Sequence, residues 1–103
     1  SHYEIICFMR IITRRRLIEF SEKYPDSANA LFSWYKIISR GDYGSFNDLR
    51  KTFPHADVVG NLTVFNIGGN KYRLIAAVHY NRKIVYIRHV LTHSEYDKNK
   101  WKE

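Results

Sequence analysis

Proton transfer beside a bound anion is the chemistry that the residue types of this chain can support. His93 follows the run His89-Val90-Leu91-Thr92 and precedes Ser94-Glu95-Tyr96-Asp97, which sets a tyrosine three residues beyond the histidine. Histidine titrates near neutral pH, so His93 can act as a general acid or base, with Tyr96 placed to assist. Lys71 and Arg73 stand at i and i+2, a spacing that puts both on one face of a strand, where together they would form a phosphate-sized patch. From Val58 to Ser94 there is no carboxylate, while Lys71, Arg73, Arg82, Lys83 and Arg88 all fall there with His79, His89 and His93. His89 and His93 would suggest a metal site on a helix. On a strand they lie about 13 Å apart, too far to share an ion, and no cysteine pair or acidic cluster completes a ligand set. No metal and no cofactor is expected. Gly68-Gly69 lacks the spacing and the Lys-Ser/Thr ending of a phosphate-binding loop and reads as a hairpin turn. Cys7 has no recognisable nucleophile setting and reads as a small buried hydrophobe.

The elements that must position these residues follow from periodicity. Met9 to Thr13 is a short β-branched run, expected as a strand. Thr13 then stands where an N-cap belongs, ahead of Leu17, Ile18 and Phe20 at helical spacing. Arg14, Arg15 and Arg16 occupy the first turn of that helix, the wrong sign for its positive end, at a cost of up to about 0.3–1 kcal/mol for each poorly placed charge. They read either as contacts to a phosphate backbone or acidic partner, or as a solvated face. Tyr24-Pro25 ends the helix, and Asp26 is expected to cap a second one with an apolar stripe of Ala28, Leu31, Phe32, Tyr35 and Ile38. Gly41 and Gly44 close it. Ser45 and Asp48 resemble a capping box for a short helix through Phe46, Leu49 and Phe53, which carries Arg50 and Lys51.

After Pro54 the period changes to two. Residues 62–67, 71–80 and 83–92 read as three antiparallel strands joined at Gly68-Gly69-Asn70 and Asn81-Arg82, with Asp57-Val58-Val59 as a short edge strand. Alternation assigns Lys71, Arg73, Ile75, Ala77 and His79 to an open face, and Tyr72, Leu74, Ala76, Val78 and Tyr80 to the core. On the next strand Tyr86, Arg88 and Val90 share a face opposite Val85, Ile87 and Leu91, so that Lys71, Arg73 and Arg88 converge if the open faces coincide. The fold class is α+β: an N-terminal strand and two to three helices packed on an antiparallel β-meander, with a short C-terminal helix.

Composition bounds the partners. The 103 residues suit one domain: residues 1–8 read as a cloning scar or upstream extension, and residues 9–103 as a single domain. Hydrophobic residues at 45% and aromatics at 16% exclude a disordered chain. The apolar run from Ile5 to Met9 is far short of the roughly 20 residues that a bilayer span needs. With one cysteine and no secretory lead, a soluble protein of a reducing, cytoplasmic compartment and no membrane partner is expected. Seventeen Lys and Arg against ten Asp and Glu give +7, a balance that points to a polyanion, most often nucleic acid.

Two motifs then carry a resemblance. Phe65-Asn66-Ile67-Gly68-Gly69-Asn70-Lys71-Tyr72-Arg73-Leu74-Ile75 and Val90-Leu91-Thr92-His93-Ser94-Glu95-Tyr96-Asp97 resemble the HigB branch of the RelE/ParE toxin superfamily. The opening strand, the Pro-Asp before the second helix and the Phe-Pro after the third extend the likeness over nearly all the chain from Met9. The resemblance implies a type II toxin-antitoxin toxin that cleaves mRNA at the ribosomal A site. Its inhibitor would be a HigA-type antitoxin with a helix-turn-helix domain, whose binding to the basic surface should weaken with salt. It implies Arg73 as the ligand of the scissile phosphate, His93 as general acid or base, Tyr96 as the residue orienting the nucleophile, and Lys71 as a second charge stabiliser. Arg14, Arg15, Arg16, Arg50, Lys51 and Arg88 are the implied RNA- or ribosome-binding cations. Two alternatives remain: a ParE-like gyrase binder without ribonuclease activity, and a non-catalytic RNA-binding module stacking bases on Tyr72, Tyr80 and Tyr86.

Overall fold

The computed structural model describes residues 8–102. Cys7 and most of the 1–8 extension lie outside the described residues. The sheet has five strands in the order β1-β5-β4-β3-β2, with β1 (Arg10–Ile12), β2 (Asp57–Val59), β3 (Leu62–Ile67), β4 (Tyr72–His79) and β5 (Ile84–Thr92). β2 to β5 form the expected antiparallel meander, and β1 adds to the free edge of β5 in parallel, Ile11 opposite Val85. The helices are α1 (Arg15–Lys23), α2 (Ala28–Arg40), α3 (Phe46–Thr52) and α4 (His93–Asp97). One face of the sheet carries the main core: Phe65, Ile67, Leu74, Ala76, Val85 and Ile87 meet Leu17, Leu31, Trp34, Ile38 and Leu49 from the helices. Trp34 and Phe53 both meet the Phe65 ring edge-on, at centroid distances of 5.4 and 5.2 Å.

Several local expectations are corrected. Thr13 does not cap α1. Its φ is 74°, and Arg14 holds the N-cap position with no side-chain acceptor. A capping side chain needs an extended backbone to reach back to the first free N–H groups, whereas the chain leaving β1 turns at once into the helix. Asp26 does not cap α2 either. It lies within a 3-10 turn, Pro25–Ser27, and its carboxylate is used elsewhere. The stripe of α2 runs through Leu31, Trp34 and Ile38, with Phe32 and Tyr35 on its flank. Ser45 does cap α3: its hydroxyl accepts from the Asp48 N–H at 3.2 Å, while the Asp48 carboxylate accepts from the Gly44 N–H.

The largest departure from simple alternation is a bulge. Ile75 pairs with His89 but Ala76 pairs with Ile87, so Arg88 is the extra residue of β5. Beyond it the faces exchange. Val90 packs into the main core and Leu91 turns to the other side, the reverse of the expected assignment. Nor is that other side open. Val64 and Ile75 form a second small cluster there with Trp101 from the C-terminal tail, flanked by Val59, Leu62, Leu91 and Tyr96. Ile75, assigned by alternation to solvent, is fully buried.

Candidate active site

β4 begins where β5 ends, and the candidate catalytic residues gather at that end of the sheet. Tyr72 pairs with Thr92 and Arg73 with Leu91. The His93 N–H donates to the Lys71 carbonyl at 2.9 Å, which ties the start of α4 to the start of β4. α4 itself opens on a full capping box: the Thr92 hydroxyl accepts from the Glu95 N–H, and the Glu95 carboxylate accepts from the Thr92 N–H. Chiefly through that backbone N–H, the Glu95 carboxyl is held below its usual range. The box fixes the direction in which a five-residue helix carries His93 and Tyr96 away from the sheet.

Arg73 is 8% exposed. Its Nη1 donates to the carbonyls of Asn70 and Tyr72 at 3.2 and 3.1 Å, and its Nη2 donates to the Asn70 side-chain oxygen. Its guanidinium lies 5.4 Å from the centroid of the Tyr96 ring, a cation–π contact. Among the described residues every hydrogen-bond acceptor of Arg73 is neutral, and no carboxylate pairs with it. These three bonds occupy three of the five N–H donors of a guanidinium. Two donors and the positive charge therefore have no partner among the described residues.

Lys71 does not join this patch. It falls in the turn before β4, where alternation has not begun, and its ammonium pairs with Asp26 at 2.8 Å. The same carboxylate accepts from the Tyr72 hydroxyl at 2.6 Å. Tyr72 is on the core face, so Lys71 and Arg73 diverge. The Lys71 and Tyr72 bonds hold the Asp26 carboxyl below its usual range, and the bond to Asp26 pushes the Tyr72 phenol up to about 12. A phenol whose folded value lies above its unfolded value of 10.0 stabilises the fold fully below pH 10. That stability is lost as pH rises from 10 toward 12. Tyr72→Phe therefore removes this limb of alkaline unfolding, so that its melting temperature falls less than that of the wild type over this range.

The remaining cations are dispersed. Arg14 lies over the Tyr35 ring at 5.2 Å. Arg15 and Arg16 are exposed, and Arg16 borders a shallow hollow with Val90 between α1 and β5. Burial, and then the charges of Arg16 and Arg88, push the His89 imidazole down. Arg88 is exposed at the bulge, and with Lys71 held by Asp26 the three cations do not form one patch. Arg50 donates to the Pro54 carbonyl at 3.3 Å, and Lys51 pairs with Asp48 at 3.6 Å. Both stand in the last turn of α3, where their sign suits the helix dipole. His93 is half-exposed, with Nε2 3.6 Å from Asp97, longer than a hydrogen bond but close enough for an ion pair when the ring is protonated.

Sequence reasoning missed two contributors. Asn70, read only as a turn residue, is the main acceptor for Arg73. Between the end of α3 and the β3–β4 turn lies a cleft of about 490 Å³ lined by His55, Asn66 and Asn70 with Phe53. Its amides can both donate to and accept from a base edge. The second is Trp101, whose indole stacks on Tyr96 at 5.2 Å and 12°. Asn70 could have been found from its place three residues before the buried arginine; Trp101, in a polar tail, gave only its own apolarity.

The chain is similar to several known proteins. The chain is 34% identical over 93 residues to "mRNA interferase HigB" of Escherichia coli O6:H1, covering 87% of this chain and 90% of that protein. It is 37% identical over 92 residues to "mRNA interferase toxin HigB" of Escherichia coli K12, with 86% and 88% covered, and to the same extent to "mRNA interferase HigB" of Shigella flexneri. Residues 27–99, which hold Arg73, His93 and Tyr96, match the HigB toxin family, described as the RelE-like toxic component of a toxin-antitoxin system. On the match of residues 27–99 and the 34–37% identity to these relatives over most of both chains, the chain belongs to the HigB toxin family.

Proposed function

We propose that this toxin is an endoribonuclease that cleaves mRNA on the translating ribosome and so blocks protein synthesis in the cytoplasm. The observation that carries the reading is Arg73: a buried cation with only neutral acceptors among the described residues, spare donors and a tyrosine of α4 over its face. The relatives' names, mRNA interferase, supply the substrate class. In the reaction the ribose 2′-oxygen loses its proton and bonds to the adjacent phosphorus. The bond from phosphorus to the 5′-oxygen breaks, and that oxygen takes up a proton. The products are a 2′,3′-cyclic phosphate and a 5′-hydroxyl end.

Arg73 binds the non-bridging oxygens and stabilises the charge that builds on them. His93, half-exposed at the start of α4, moves a proton as acid or base, and Tyr96 orients the nucleophile. Lys71, held by Asp26, supports the site through the backbone contact of its carbonyl with His93 and contributes its charge only when freed from that pair. Arg14 to Arg16, Arg50, Lys51 and Arg88 provide a diffuse cationic surface for ribosomal RNA. An antitoxin of the HigA type, with a helix-turn-helix domain, is the cognate inhibitor.

Primer extension on mRNA in a reconstituted translation system, with and without ribosomes, tests the reading. Discrete cuts that need ribosomes are expected. Intact mRNA under conditions where translation or growth still stops would overturn it and turn attention to inhibition of DNA gyrase.

A further inference from the structure

α4 carries His93 and Tyr96 but has only five residues, none of them buried. A helix of that length has no stability of its own. Its start is fixed by the Thr92–Glu95 capping box and by the His93 contact to Lys71. Near its end Trp101 holds it to the sheet. Past Asp97 the chain turns at Asn99, φ 60°, and brings Trp101 back beneath the helix. Trp101 is 6% exposed in a tail whose neighbours are exposed, and it is seated against Val64 and Ile75 of the sheet. Its Nε1–H donates to the Tyr96 carbonyl at 3.0 Å, and its ring lies parallel to the Tyr96 ring. A second partner of the Tyr96 ring is the Arg73 guanidinium, 5.4 Å from its centroid. The phenol therefore touches both an indole seated on the sheet and the guanidinium of β4.

We infer that Trp101 is a positioning residue of this toxin: it sets Tyr96 over Arg73 and thereby the placement of both at the scissile phosphate. The inference rests on the cleavage reading above. Trp101 lies outside residues 27–99, the part that matches the family, so its role comes from the geometry alone. Tyr96 is only partly buried and has no hydrogen bond from its own hydroxyl among the described residues, so the indole and the guanidinium are what locate its ring.

The test compares the full chain with Trp101→Ala, Trp101→Phe, Tyr96→Ala and the Tyr96→Ala/Trp101→Ala double variant in single-turnover mRNA cleavage on ribosomes. In parallel, the Arg73 Nε–H resonance is followed by NMR, which senses the ring over the guanidinium and needs no activity. A misplacement of about 1 Å costs roughly 100-fold, so Trp101→Ala should lose about that much. Trp101→Phe, which keeps a ring but not the N–H, should lose about 10-fold. In the Tyr96→Ala background Trp101→Ala should add no more than about threefold, because the two act as a unit. The Arg73 resonance should move in Trp101→Ala and partway in Trp101→Phe.

Full additivity in the double variant, or Trp101→Phe cutting at the wild-type rate with the Arg73 resonance unmoved, overturns the inference. The second criterion also decides the matter if Trp101→Ala does not fold. A wild-type protein that cuts no mRNA defeats the cleavage reading instead, and the Arg73 resonance still decides whether Trp101 sets the Tyr96–Arg73 pair.

Discussion

Arg73→Ala lowers ribosome-dependent mRNA cleavage by roughly 10²–10³, the usual effect of removing one preorganised donor from a site of developing negative charge. Primer extension at matched protein concentrations measures it, as the loss of the cut bands. The effect reaches that size because Arg73 is already buried and held. Its burial at 8% exposure weakens solvent screening, and Asn70 and the Tyr72 carbonyl fix the plane of the guanidinium before substrate arrives. Arg73→Lys separates charge from geometry. A lysine keeps the cation but cannot satisfy both Asn70 oxygens and the Tyr72 carbonyl while offering a flat pair of donors to phosphate. It should recover less than a tenth of the lost rate. A thermal melt accompanies both variants, since Arg73→Ala leaves the Asn70 side-chain oxygen without its partner. Cleavage by Arg73→Ala within threefold of the wild type would remove Arg73 from the phosphate site.

The positions of these groups were unevenly legible in the sequence. The three meander strands could be read from period-two alternation and from Gly68-Gly69-Asn70, because a hairpin with two successive glycines at positive φ leaves few alternatives. Arg73, His93 and Tyr96 were picked out by residue type, and the sheet brings the start of β4 to the end of β5 as the hairpin requires. The bulge at Arg88 was not legible. No glycine or proline marks it, and it lies just beyond Ile84–Tyr86, the stretch of β5 that pairs with β1 as well as β4. It alone reverses Val90 and Leu91. Asp26 shows a different limit. An aspartate after Pro25 has the local signature of a helix cap, yet its stronger partners are the ammonium and phenol of Lys71 and Tyr72, remote in sequence and adjacent only after folding. The patch inferred from Lys71 and Arg73 failed for the same reason: alternation holds only inside a strand, and Lys71 stands one residue before it.

His93→Gln should abolish most of the remaining chemistry while leaving the protein folded and able to bind its RNA. Glutamine keeps the size and hydrogen-bonding character of the side chain but cannot exchange a proton near neutral pH, so the expected loss is roughly 10²–10⁴ in the single-turnover rate. Stability should hardly change, because the side chain is half-exposed and its backbone contact to the Lys71 carbonyl survives the substitution. Binding to ribosomes, read by co-sedimentation, should stay within about twofold. That pairing of outcomes separates a catalytic histidine from a binding one. Asp97→Asn provides the contrast. At 3.6 Å from Nε2 the carboxylate is too far for a hydrogen bond that would fix the ring. Its loss should cost only a few-fold in the single-turnover rate. A His93→Gln toxin that still cuts at the wild-type rate would leave Tyr96 as the remaining candidate of α4 for the proton transfer. The Tyr96→Ala variant would then be the one to show the full loss, with Trp101 acting through it.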